Sequence, residues 1–370
     1  MPNSPSFLAI SDVHIGLNLY NQQELGADLR RLFFEACRTA AKLRVDYLVI
    51  AGDLFDSNKP TPDLIRFVKN EIERARMDGI RVIGIAGDHD KPVNTEAWLR
   101  ISGVASIESV SQFAGHDYSD NPAEVMNHLQ TTNNRHTAEW IVLHGQVPTL
   151  WPFCEDRKKL ELSTLSLFEL YPNLRGIILG DIHKPYEGQI VDNSSGRKVF
   201  IGYCGSLGVT SSSDIGVQTG LLHFDGKELK RVPYLLGRDF VKIDLTTTAT
   251  TGLAVGYYID KYSRHRGRRP VFLIEYSPST RDRLAEIRPL YQLGYVRLTL
   301  IRHKDSSENV IQGVSIRNEL NNHQRIETVL KELLPDEEVR ALVTSALHTE
   351  EPRLVLDAFA TKYLGEPANA

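Results

Sequence analysis

Short apolar runs alternate with stretches of helical periodicity through about the first 235 residues. Phe7–Ile10 and Tyr47–Ala51 are apolar throughout, as expected of strands buried on both faces. Between them, residues 25–43 put Leu25, Leu29, Leu32, Phe33, Ala36, Cys37 and Ala40 on one helical face. Leu64–Met77 has the same spacing, with Ile65, Val68 and Ile72, and Arg81–Ala86 reads as a strand followed by a helix near 94–102. Trp140–Leu143 and Gly176–Leu179 are two more apolar runs, and the shorter, glycine-broken runs of 198–234 are expected to complete the sheet as antiparallel strands. Buried strands alternating with amphipathic helices predict a layered α/β domain.

The pattern changes near Leu236-Gly237-Arg238. Phe240–Leu245, Leu253–Tyr262, Pro270–Tyr276, Arg281–Leu293 and Tyr295–Ile301 then read β-α-β-α-β, a small α+β unit of about 65 residues, near the lower limit for a self-sufficient core. His303–Asn321 is polar and reads as a linker. Beyond it, Ile326, Val329, Leu330, Leu333 and Leu334 form one helical stripe ended by Pro335. Asp336 can cap a second helix, striped by Val339, Leu342, Val343, Ala346 and Leu347, and Leu354, Leu356, Phe359, Tyr363 and Leu364 follow. Three parts are therefore expected: residues 1–236, 237–305 and a helical tail at 306–370.

Composition narrows the classes. With 41% hydrophobic and 24% charged residues the chain is ordinary globular material. It has no apolar run of about 18 residues, so no membrane span is expected. No signal-peptide core follows Met1, so secretion is not expected. Cys37, Cys154 and Cys204 are too scattered for a zinc ribbon or a disulfide frame. A net charge of −4 means that contact with nucleic acid must come from a local basic surface. The densest basic run is Ser263–Arg269, where Arg264, Arg266, Arg268 and Arg269 could bind phosphates or simply line a solvated loop.

The chemistry sits where the apolar runs end. "AISDVH" puts Asp12 and His14 past the first strand, "IAGDLFD" puts Asp53 and Asp56 past the second, and "IAGDHD" puts Asp88, His89 and Asp90 past the third. "IVLHG" ends in His144 and "IILGDIH" in Asp181 and His183. Residues beyond the carboxyl ends of strands in an α/β sheet converge on one edge. A single aspartate there is usually a turn or cap; five such ends gather more carboxylates than can stay ionised together without a cation. Oxygen and imidazole donors without thiolate suit Mn²⁺, Fe²⁺, Mg²⁺ or Zn²⁺, and there are enough donors for two ions.

These motifs (D-x-H, G-D-x-x-D, G-D-H-D, H-G and G-D-x-H) resemble those of the calcineurin-like metallophosphoesterases, a layered β-sandwich flanked by helices. Within that superfamily, "GDLFDSNKP" and "YCGSLG" are similar to the SbcD-type DNA repair nucleases, whose eukaryotic member is the meiotic recombination nuclease. The resemblance implies that Asp12, His14 and His183 hold one metal, that Asp53 bridges, and that Asp88, His144 and Asp181 complete a second site. It gives His89 the task of orienting the scissile phosphate and protonating the leaving oxygen, with Asp90 holding its ring; Asp56 would position His89 or a ligand, or cap a turn. Two positions depart from the family pattern: Asp88 stands where asparagine is usual and Asp181 where histidine is usual. The richer oxygen set favours Mn²⁺, with Mg²⁺ next, over zinc.

The expected function is a metal-dependent DNA nuclease of double-strand-break repair. The resemblance further implies a DNA-binding cap at 237–305, a tail that binds an SbcC-type, SMC-like coiled-coil ATPase, a homodimer, and a cytoplasmic or nucleoid-associated location. Two alternatives stay open: a non-catalytic or weakly active scaffold that regulates such an ATPase, and a small-molecule phosphodiesterase on the same fold.

Overall fold

The computed structural model describes residues 4–300 except 92–96, 152, 163, 192–195, 218, 234–236, 247–250 and 264–266. The expected linker and tail stripes, with Arg264 and Arg266, therefore lie outside the described residues. The described residues belong to one compact unit.

Along the first part run β1 (Phe7–Ile10), α1 (Gln23–Leu43), β2 (Tyr47–Ala51), α2 (Pro62–Met77), β3 (Arg81–Ile85), α3 (Trp98–Ile101) and β4 (Ala105–Ser106). There follow β5 (Phe113–Gly115), α4 (Pro122–Thr131), β6 (Trp140–His144), α5 (Thr164–Leu170), β7 (Gly176–Gly180) and β8 (Tyr186–Val191). The last three strands of this part are β9 (Lys198–Tyr203), β10 (Gly220–Phe224) and β11 (Leu229–Pro233). They form two sheets, ordered β11-β10-β1-β2-β3-β4 and β5-β6-β7-β9-β8. The neighbours β1-β2-β3-β4 and β5-β6-β7-β9 are parallel.

Strand alternation sorts the apolar runs into layers. Phe7 and Ala9, Val49 and Ala51, Ile83 and Ile85, Trp140 and Val142 and Ile178 face the other sheet and share one buried cluster. Leu8 and Ile10, Leu48 and Ile50 and Val82 turn outward onto α1 and α2. Ile141, Leu143, Ile177 and Leu179 turn outward into a second helix-covered cluster. This two-sheet sandwich flanked by helices is the layered α/β architecture expected. The buried stripe of α1 is Leu25, Leu29, Leu32, Phe33, Ala36, Cys37 and Ala40, as its spacing predicts.

Two expectations need correction. Residues 198–234 do not extend one antiparallel sheet: β9 joins the second sheet, parallel to β7, while β10 and β11 close the first. Their glycine-broken apolar pattern is the same whichever sheet is chosen. The helix expected over 281–293 is a 3-10 stretch at Pro278–Ala285 and one short helix, α7 (Leu290–Leu293), because Pro289 cannot continue a helix through its ring.

The small unit holds β12 (Phe240–Asp244), α6 (Thr251–Ser263), β13 (Val271–Tyr276) and β14 (Tyr295–Leu300), with β12-β13-β14 all parallel and a core of their own. Val271 and Leu273 pack onto Leu19 and Leu25 of the first part. Charge fixes the same junction: Asp28 of α1 accepts from Arg238 Nε at 2.7 Å and pairs with Arg268.

Candidate metal centre

The carboxyl ends of β1, β2, β3, β6 and β7 meet at one rim, because parallel strands in register end together. The chain leaves them through unusual backbone. Asp12, His14, Asp53 and Asp181 have φ of 50°, 51°, 50° and 84°, in the left-handed region that side chains avoid. Such conformations persist where the surroundings over-determine them, and here they aim side chains into one space. The glycines at the rim are needed for close approach. A Cβ on Gly87 would lie 2.5 Å from the Asp53 nitrogen and on its carboxylate, and one on Gly180 would meet the Ala51 carbonyl.

Four groups assemble, and within each the ligand atoms lie within 4.8 Å of one another: Asp12 with His14 and His183, His14 with Asp53 and His89, Asp12 with Asp53 and His144, and Asp88 with His144 and Asp181. Asp53 stands between the two outer groups. Its Oδ2 is 3.7 Å from His14 Nε2 and 3.5 Å from His144 Nε2. All seven side chains expected as ligands thus come together from five segments.

Neighbouring groups orient the imidazoles. His144 Nδ1 donates to the Ala51 carbonyl at 2.9 Å, which leaves Nε2 facing Asp88 at 3.2 Å and Asp181 at 3.9 Å. His183 Nδ1 donates to Thr210 Oγ1 at 3.0 Å and lies 3.2 Å from Asp214, which leaves its Nε2 3.9 Å from Asp12. His14 differs. Asp56 Oδ1 lies 3.3 Å from Nδ1 without hydrogen-bond alignment, and both ring nitrogens are buried with no hydrogen-bond partner. An unpaired buried imidazole nitrogen is costly unless something else takes its lone pair.

Electrostatics point the same way. Burial pulls the His183 pKa down, but the hydrogen bond to Asp214 and the charge of Asp12 carry it up to about 9. His144 is likewise driven well above its ordinary value, burial being outweighed by Asp53 and Asp88. Burial raises the Asp12 pKa against the pull of His144 and His183. The cluster attracts protons because carboxylates outnumber positive charges, and a divalent cation would satisfy the same deficit. The donors therefore fit divalent metal ions, with imidazole and carboxylate but no thiolate in any group.

Asp90 corrects one expectation. It does not hold the His89 ring. Its buried carboxylate accepts from the Leu54 and Phe55 nitrogens at 2.9 and 2.8 Å and from Gly87 N at 3.3 Å, clamping the loop that carries Asp53. Burial and the Asp53 charge push its pKa up to about 7 in spite of those donors. The His89 ring is held instead by the Asp56 carbonyl, 2.8 Å from Nδ1, and its backbone nitrogen donates to Asp53 Oδ1 at 3.0 Å. His89 is exposed at the rim, edge-on to His14 with ring centroids 4.7 Å apart.

Sequence reasoning missed Lys158, Gln146, Thr210 and Asp214. Lys158 Nζ is 2.9 Å from Asp88 Oδ2 and contacts Asp181 Oδ1, and Gln146 Nε2 donates to Asp181 Oδ2 at 2.6 Å. None of them belongs to a strand-end motif, though Gln146 stands two residues past His144. Away from the rim, Arg268 is committed to Asp28, unlike its expected role on phosphate. Arg269 is exposed, with its guanidinium over the Tyr295 ring and Nη2 3.2 Å from the Gly294 carbonyl.

Residues 5–185 match the family described as calcineurin-like phosphoesterase. The DNA double-strand break repair protein Mre11 of Aeropyrum pernix is 42% identical over 90 residues, 24% of this chain and 22% of that protein. The Mre11 protein of Archaeoglobus fulgidus is 35% identical over 85 residues, 23% of this chain and 19% of that one. The chain's match thus spans about a fifth of the length of these curated relatives. A solved dimetal phosphatase from Danio rerio aligns with a TM-score of 0.38 at 13% identity, covering 63% of this chain and 100% of that one.

Proposed function

We propose that this chain, whose residues 5–185 are a calcineurin-like phosphoesterase domain, is a metal-dependent nuclease that hydrolyses phosphodiester bonds of DNA. The observation that carries this reading is the meeting of Asp12, His14, Asp53, Asp88, His144, Asp181 and His183 at one rim, open beside an exposed His89. Similarity to two DNA double-strand break repair proteins directs the choice of substrate. Mn²⁺ is the proposed cation, since four carboxylates among seven donors make a hard set, and Mg²⁺ is the proposed substitute.

Bound cations would supply Lewis-acid polarisation of the phosphodiester and a nucleophilic water at neutral pH. The chain's residues do the rest. Asp12, His14, Asp53 and His183 hold and orient one side of the centre, and Asp88, His144 and Asp181 the other. His89 donates a hydrogen bond from its Nδ1–H to the Asp56 carbonyl, so Nε2 is the atom that can carry a proton to the departing sugar oxygen. The Asp53 carboxylate, bonded to the His89 nitrogen, ties that acid to the centre.

His89→Ala is expected to lower DNA hydrolysis by about a hundredfold and to leave thermal stability unchanged, because the ring is exposed. The same variant should keep most of its activity on bis-p-nitrophenyl phosphate, whose leaving group needs no proton. Equal losses on both substrates would remove His89 from the acid role. The function itself is tested on linear duplex and single-stranded DNA with Mn²⁺ and with a chelator. Rapid cleavage of the nitrophenyl ester with intact DNA would point to a small-molecule phosphodiesterase instead.

For the rest of the assembly the reading is composite. Residues 237–305 are proposed as a DNA-contacting cap, with Arg264, Arg266 and Arg269 as phosphate contacts, and 306–370 as the segment that holds an SMC-like coiled-coil ATPase of the SbcC type. A homodimer and a cytoplasmic or nucleoid-associated location complete the proposal. Two features support the location: no described helix is long and apolar enough to cross a membrane, and all three cysteines are unpaired.

A further inference from the structure

We infer that Lys158 is a built-in cation: its ammonium fills the half-site of Asp88, His144 and Asp181, so that the protein binds one divalent ion firmly, between Asp12, His14, Asp53 and His183. This deepens the reading of the same centre as a metal site and rests on it.

The two halves of the centre differ in what their donor atoms already touch. In the Asp88 half every carboxylate oxygen is taken. Asp88 Oδ1 faces His144 Nε2 at 3.2 Å and Oδ2 faces Lys158 Nζ at 2.9 Å. Asp181 Oδ1 pairs with the same Nζ, and Oδ2 accepts from Gln146 Nε2 at 2.6 Å. In the other half, His14 has two buried nitrogens with no hydrogen-bond partner, and His183 Nε2 faces Asp12 at 3.9 Å. The carboxylates of that half also have partners, Asp12 in Ser11 Oγ and Asp181 N and Asp53 in His89 N, but among the described residues no lysine or arginine pairs with them, and the His14 nitrogens remain to be satisfied.

Lys158 is not a surface lysine that has folded inward by chance. Its side chain is only 12% exposed. Its backbone is laced to the residues after β6: Gln146 N donates to the Lys158 carbonyl at 2.7 Å, and Leu160 N to the Gln146 carbonyl at 2.7 Å. Glu155 N donates to Gln146 Oε1 at 2.7 Å, so the side chain that holds Asp181 also holds the loop that delivers Lys158. A cation coordinated by Asp88 and Asp181 needs the lone pairs that the ammonium occupies, and would stand against a like charge at contact distance. Occupancy by one therefore excludes the other. Charge explains the arrangement: Asp88 and Asp181 raise the rim to four carboxylates, and a fixed ammonium offsets part of that excess without a second metal.

The test counts ions and uses no DNA. The full chain is titrated with Mn²⁺ by calorimetry, and bound ions are followed by electron paramagnetic resonance. The wild type should bind one equivalent firmly and a second, if at all, at least about tenfold more weakly, with the spectrum of an isolated ion. Lys158→Met should bind two equivalents of similar affinity and give the spectrum of a coupled pair. Two wild-type equivalents within about tenfold of each other would overturn the proposal, as would a folded Lys158→Met protein that still binds one. If Lys158→Met does not fold, Lys158→Ala, which removes the charge and the donor together, is read by the same criteria. A protein that binds one Mn²⁺ yet leaves DNA intact would sink the nuclease reading and leave this one standing.

Discussion

Asp53→Asn is expected to lower Mn²⁺-supported hydrolysis about a thousandfold, which corresponds to about 4 kcal/mol of lost transition-state stabilisation. Asp53 is the residue for which no neighbour can substitute. Its Oδ2 lies between His14 and His144, which belong to opposite halves of the centre. The asparagine oxygen can still accept from the His89 nitrogen, so the loop keeps its bond and loses only the charge. The melting temperature of the metal-free protein should therefore stay close to that of the wild type. Calorimetric Mn²⁺ affinity and hydrolysis should fall together. A variant that retained tight Mn²⁺ binding with full activity would show that Asp53 is not shared by the centre.

Asp90→Ala should produce a loss of another kind: about 3 kcal/mol or more of stability, or about 5 °C or more in Tm for a unit of about 300 residues. The buried carboxylate accepts from three backbone donors, Leu54, Phe55 and Gly87, all in buried residues. Truncation leaves them unpaired, and the loop bearing Asp53 loses its clamp. Activity should fall through misplaced metal ligands, seen as weaker Mn²⁺ binding, rather than through loss of an acid. Thermal melts of Asp90→Ala beside His89→Ala separate the roles, since only the first should lower Tm. An unchanged Tm for Asp90→Ala would mean that water satisfies those donors.

The contrast between these neighbours shows how far the chain could be read as text. Both stand in "GDHD", and the family resemblance implied that Asp90 holds the His89 ring. In the fold, the turn after β3 sends Asp90 inward beneath the Asp53 loop and His89 outward to the rim. One residue of separation at a turn is enough to reverse a side chain's direction, and no periodic signal reports it. Asp56 went the other way. Its motif position allowed several roles, and the structure gives its carbonyl to His89 and brings its carboxylate near His14.

The layers, and the gathering of carboxylates and imidazoles at one rim, were legible in the sequence. Regular strands fix side-chain direction every second residue, so apolar runs ending in Asp and His declare a buried strand and a polar rim without any coordinates. That regularity made Asp12, His14, Asp53, Asp88, His144, Asp181 and His183 legible together. The sheet that takes β9, the direction of Asp90, and the closing of Lys158, Gln146, Thr210 and Asp214 around the centre follow from the folded chain and had no signal in the sequence. These groups reach the rim from irregular segments, where each residue's direction follows from long-range packing and hydrogen bonds. Lys158 reaches Asp88 and Asp181 because Gln146, two residues past β6, ties down the returning end of the loop that follows that strand.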